Sequence, residues 1–159
     1  MGTVSTAVPF LHRGFTLMET MIVMLIAGIL AAVAIPSYRH VVEGQKINTV
    51  VTDLGTIATG LERFRSRAFT LPLALDELTG IPRTDPWGNE YQYLNFNSGE
   101  PGINGRIRKD HNLHPLNSEF DLYSMGPDGS SAAPLTARAS RDDVIWAGDG
   151  SFVGTASDY

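Results

Sequence analysis

An α+β fold built on one long N-terminal helix is predicted for this 159-residue chain by three features. The run Thr20 to Tyr38 carries no charge and is almost wholly apolar. An amphipathic stripe continues it, with Ile47, Val50, Val51, Leu54, Ile57, Ala58, Leu61 and Phe64 recurring at three- and four-residue steps. Beyond residue 68, short alternating segments separated by Gly, Pro, Asn and Asp read as strands of a small antiparallel sheet with a loop-rich C-terminus.

The helix is expected to run from about Phe15 to about Arg67, close to 80 Å at about 1.5 Å per residue. Its first half is apolar all round and its second half is one-sided. About 20 apolar residues span a bilayer, so the first half is long enough with its flanks included. His12 and Arg13 precede it and Arg39 and His40 follow, which makes charge a weak guide to orientation. Gly28 and Pro36 are the places where the helix could kink, and two helices broken at Pro36 are the alternative. An ordinary secretory signal would carry its small-residue cut site after the apolar centre. Ala32 and Ala34 could supply one, but Pro36 follows and the helical pattern continues. The polar-to-mixed leader instead ends at Gly14, before the apolar run.

Glu19 is out of place at the head of an apolar helix. A carboxylate there is costly and needs a partner or a proton. A cut after Gly14 would create an amine on Phe15, one helical turn away. Amine and carboxylate could then neutralise each other within one chain or between neighbours. A protonated carboxyl near the headgroups is the alternative.

Arg13-Gly-Phe-Thr-Leu-Met-Glu19, followed by the apolar helix with Pro36, resembles the class III leader and mature start of type IV pilins and type II secretion pseudopilins. The resemblance implies a pilin fold. It also implies cleavage by prepilin peptidase between Gly14 and Phe15, methylation of the Phe15 amine, and a role for Glu19 in docking the subunit into a filament. It further implies a single-pass inner-membrane protein with its N-terminus in the cytoplasm and its body in the periplasm. The segments are then a leader (1–14), a transmembrane and assembly half-helix (15–38), an amphipathic half-helix (39–67) and a β-rich body (68–159).

Composition narrows the function classes. The chain is 43% hydrophobic, but much of this lies in the N-terminal block, leaving one small core. The formal net charge is −5, and without Arg13 it is −6, from 11 basic and 17 acidic residues. From Asp110 onward eight Asp and Glu face only Arg138 and Arg141. Phosphate recognition needs a basic face, so nucleic acid is not an expected partner. The absence of cysteine excludes disulfides, thiolate catalysis and Cys-ligated zinc or iron–sulfur centres.

In the body, 70–80 reads as a short helix or tight turn ending at Gly80. Asp85-Pro86 and Gly88-Asn89 are turn signals. Strands are expected over 90–96, 119–124, 144–146 and 151–153, with an irregular loop over 97–117. Asp85-Pro-Trp-Gly-Asn-Glu-Tyr-Gln-Tyr93 and Asp121-Leu-Tyr-Ser-Met-Gly-Pro-Asp-Gly129 are similar to two signatures of the major, G-type pseudopilin of type II secretion. The chain departs from that pattern in three places. Residues 97–118 are longer than usual, the loop Ser130–Arg141 is less glycine-rich and less acidic, and the tail Asp149–Tyr159 extends past the usual end.

Asp128, Asp142 and Asp143 flank the 130–141 loop. Calcium takes about 6–8 hard oxygen ligands, so a loop with Asp at both ends could close around one ion in place of a disulfide. A plain Asp-Gly turn is the alternative. The resemblance implies structural calcium here, with side chains from Asp128, Asp142 and Asp143 and backbone carbonyls from Met125 and Ser130. His111 and His114 beside Asp110 have no further obvious ligand and read as a solvated loop. Asp76 and Glu77 are read as solvated surface. Gly129-Ser-Ser lacks the context of a nucleophile elbow. Gly99, Gly102 and Gly105 are not flanked by a strand and a helix and so do not make a phosphate loop. Trp87, Tyr91, Tyr93 and Tyr123 are read as core packing of the sheet.

The expected function is therefore structural: a pseudopilin that polymerises into a periplasmic pseudopilus driving type II secretion. Its expected partners are copies of itself, minor pseudopilins, prepilin peptidase, the inner-membrane assembly platform, and lipid before assembly. A type IV pilin for adhesion, motility or DNA uptake is the rival, although many such pilins close a loop with cysteines. A membrane-anchored periplasmic enzyme or binding protein is a third reading, and no convergent polar constellation supports it.

Overall fold

The computed structural model describes residues 14–159 apart from 112. The expected leader, Gly14 excepted, lies outside the described residues.

One helix, α1 (Leu17–Ala68), runs without a break through Pro36, so the two-helix alternative does not form. Proline removes one intrahelical N–H. One turn around it, the Ser37 hydroxyl donates to the Val33 carbonyl at 3.1 Å. The start is set by Thr16. Its Oγ1 accepts the Glu19 N–H at 3.2 Å, and the Glu19 carboxylate reaches back to the Thr16 N–H at 3.5 Å. This is a capping box, which satisfies amides the helix leaves open. Arg65 and Arg67 lie in the last turn, where positive charge suits the helix dipole. Phe69 then turns left-handed, at φ 59°, and its N–H closes on the Arg65 carbonyl at 2.8 Å.

The chain forms two compact units, one ending at Val41 and one covering Val42–Tyr159. The described part of the first is bare helix with its apolar side chains unburied; Leu17 is 79% exposed and Leu30 is 64% exposed. In the second, Val50, Leu54, Ile57, Ala58 and Leu61 of the predicted stripe are buried against Leu71, Leu78, Tyr91, Phe120, Leu122 and Val144.

Four strands, β1 (Gln92–Asn95), β2 (Phe120–Ser124), β3 (Val144–Ala147) and β4 (Phe152–Thr155), pair antiparallel in sequence order. Leu122 lies opposite Trp146, and Ile145 lies opposite Gly154. Strand side chains alternate between faces. Accordingly Leu122 and Val144 join the helix-side core, while Ile145 and Ala147 join a second cluster with Leu116, Leu135 and Ala156. Hydrogen bonds pin the sheet side to the helix. The Tyr91 hydroxyl donates to Asp53 at 2.6 Å, and the Trp87 indole donates to Glu43 at 2.9 Å. Tyr91, Tyr93 and Trp87 thus serve packing, as expected from the sequence.

The 70–80 segment holds one short 3-10 turn, Leu75–Glu77. The 97–118 segment is more than a solvated loop. Ile107, Arg108, Leu116 and Asn117 are buried, and Lys109 bridges to Pro134 as a parallel neighbour. Leu116, near its C-terminal end, joins the cluster on the second face of the sheet.

Candidate functional site

Two regions carry the expected site residues. The first is the head of α1. Gly14 and Phe15 precede the first helical residue and are exposed, Phe15 by 77%. Glu19 is exposed too, and the Thr16 amide is 3.5 Å from its carboxylate, at the outer limit of a hydrogen bond. The expected cut site is therefore accessible just ahead of an apolar helix, and a weakly engaged carboxylate sits within that helix's first turn.

The second region is the C-terminal loop, which hangs from the end of β2. Asp85 organises that end. Its Oδ1 accepts the N–H groups of Trp87 at 3.0 Å and Asn89 at 2.9 Å, folding the Pro-Trp-Gly-Asn turn. Its Oδ2 accepts the Ser124 hydroxyl at 2.6 Å, and Asn89 donates to the Gly126 carbonyl at 2.8 Å. Gly126, at φ 65°, lies against the backbone carbonyl of Asp142, where any Cβ would collide. That close approach brings the two ends of the loop together. The Asp142 carboxylate accepts the Asp128 N–H at 3.4 Å, and Asp128 accepts the Ser130 N–H at 2.7 Å. Asp128, Ser130 and Asp142 therefore meet, with Met125 one residue before the glycine.

Asp143 does not join them. It is fully buried, and its Oδ2 accepts from Arg108 Nη2 at 2.5 Å and from the Ser131 hydroxyl at 2.6 Å. Arg108 is 2% exposed, also donates to Ser131 at 2.5 Å, and lies 4.1 Å from the Tyr123 ring centre. Its backbone N–H donates to Asp121 at 2.6 Å, and Asn117 donates to the other Asp121 oxygen at 3.1 Å. Arg108 Nε and Asp143 Oδ1 are buried without partners among the described residues. Burial pushes the Asp143 carboxyl up, against the pull of Ser131 and Arg108; the neighbouring Asp142 pushes it further up.

The expected calcium ligands are only partly brought together. Among the described residues, no three His, Asp or Glu side chains gather closely enough to hold an ion. The third expected carboxylate already faces a guanidinium, and a divalent ion sharing it would meet that positive charge at short range in a poorly screened interior. As the described residues stand, the set Asp128, Asp142, Asp143, Met125 and Ser130 is therefore not gathered around one point. Arg108, Ser131, Asp121 and Asp85 carry the geometry instead. Asp85 was signalled by its turn sequence, whereas nothing local to Arg108 or Ser131 signals their meeting across 23 residues.

Comparison with known proteins gives the class first. Residues 10–35 match the family model described as a prokaryotic N-terminal methylation motif. The chain is similar to the type II secretion system core protein G of Pseudomonas aeruginosa, 33% identical over 139 residues, which is 74% of this chain and 85% of that protein. The core protein G of Klebsiella pneumoniae is 30% identical over 139 residues, 74% of this chain and 86% of its own. The type IV major fimbrial protein FimA of Dichelobacter nodosus is 44% identical over 52 residues, 33% of each chain. No solved structure gives a significant match. The chain belongs to the family of the type II secretion system core protein G.

Proposed function

We propose that this chain is a structural subunit that polymerises through its apolar helix into a periplasmic pseudopilus serving type II secretion. The observation that carries this reading is an unburied apolar half-helix headed by an exposed carboxylate, in a core protein G family member. Apolar surface left in water costs about 25 cal/mol per Å², so these residues need a cover. Lipid supplies it before assembly and neighbouring helices supply it afterwards. Residues 15–38 are the membrane half in this reading, with the N-terminus cytoplasmic and the body periplasmic. Prepilin peptidase cuts between Gly14 and Phe15 and methylates the new amine. Glu19, weakly held by its own cap, then turns to the stronger charge of a Phe15 amine as the subunit docks at the inner-membrane platform beside minor pseudopilins. The role is structural rather than catalytic.

A type IV pilus subunit is the second reading, favoured by the likeness to FimA over a third of each chain. Deleting the gene in its own host separates the two. Exported proteins should accumulate in the periplasm with surface pili intact. The wild-type gene should restore export, while Glu19→Ala should be processed without restoring it. Normal export with lost pili would contradict the pseudopilus reading.

A further inference from the structure

The three stretches in which this chain departs from the G-type pattern touch one another. The 97–118 segment pairs with the 130–141 loop, through Lys109 N–H to the Ala133 carbonyl at 3.1 Å and Leu135 N–H to the Lys109 carbonyl at 2.9 Å. It meets the turn after β3 through Gly148 N–H on the Leu116 carbonyl at 3.2 Å and Asp149 N–H on Asn117 at 3.0 Å. The tail returns to the far end of the loop, with Ala156 N–H on the Asp143 carbonyl at 2.8 Å and Ser157 N–H on the Arg141 carbonyl at 3.2 Å. At the centre of this cluster sits one buried cation, Arg108, on one buried anion, Asp143.

We propose that Arg108 is the built-in cation that closes the C-terminal loop, making the body of this subunit independent of calcium. A loop without cysteines needs some other cross-link, and a divalent ion between carboxylates is one solution. An arginine delivered from a longer neighbouring segment is another. Its planar fork bonds Ser131 and Asp143 together, and its face covers Tyr123, so a single side chain joins the 97–118 segment, the 130–141 loop, β2 and the start of β3. Here one oxygen of the third carboxylate of the expected ion site, Asp143 Oδ2, is taken by Arg108 and Ser131, and Asp128 and Asp142 are left with the solvent-facing end of the loop. The extra length of 97–118 follows from the same cause: the arginine must be carried across the outer face of the sheet to reach Asp143.

The test is thermal unfolding of the full-length chain in detergent, with millimolar calcium and with a chelator. Wild type should melt at the same temperature, within about 1 °C, in both. Arg108→Gln should melt about 10 °C lower, because removing one partner strands a buried charge. In the double variant Arg108→Gln/Asp143→Asn the loss should be smaller than the sum of the two single losses, since neither charge is then left alone. A wild-type melting temperature that rises by several degrees with calcium and falls with chelator would overturn the proposal. So would an Arg108→Gln chain as stable as wild type. The wild-type comparison needs no variant, so a variant that fails to fold leaves the proposal open to refutation.

Discussion

Asp121 is 1% exposed, and its two oxygens accept hydrogen bonds from the Arg108 N–H and the Asn117 amide. Burial lifts its carboxyl above the ordinary 3.8; those two hydrogen bonds and the charges of Arg108 and His114 pull against the rise. The folded chain therefore holds this proton at a pH where the unfolded chain has released it. The group's contribution to stability is complete below the unfolded value and is lost as pH rises through the raised folded value. Urea unfolding of wild type and Asp121→Asn across a pH series checks this. The difference in unfolding free energy should fall as pH climbs from about 4, and a flat difference would contradict the assignment. At this scale the sequence is only partly legible. Glu19 stands out because charge is rare in an apolar run, and Thr16-Leu-Met-Glu19 carries a capping signature in its spacing. Arg108 cannot be singled out, because its value lies in residues 23 and 35 positions away.

The elements were more legible than the contacts between them. The stripe from Ile47 to Phe64 keeps helical spacing, and its central members Val50, Leu54, Ile57 and Leu61 are all at 0% exposure. The strands fall within two residues of the predicted segments, because Gly, Pro, Asn and Asp turn residues bound them in the sequence, although burial does not alternate along them, both faces of the sheet being covered. The 97–118 segment reads as irregular because it has no period, and its burial comes from tertiary pairing rather than local pattern. Ile57 faces the helix-side core where that stripe is fully covered. Ile57→Ala should therefore cost about 2–5 kcal/mol in urea unfolding, through lost contacts and the cavity left behind. A change under about 0.5 kcal/mol would mean that the helix does not carry this core.

The whole molecule joins two different solutions to burial on one chain. The body from Val42 onward buries its stripe within itself, using a sheet on the helix and a loop held by internal hydrogen bonds and one ion pair. The half-helix before it buries nothing and is long and apolar enough to cross a membrane. A subunit built this way is complete at one end and unsatisfied at the other, which is what a fibre drawn out of a membrane requires. Both insertion and docking depend on where the mature chain begins. Mass spectrometry of the N-terminus of protein purified from its host membrane tests it directly. The mature chain should start at Phe15 with a methylated amine. A chain that keeps Met1, or one cut after Ala34, would contradict it.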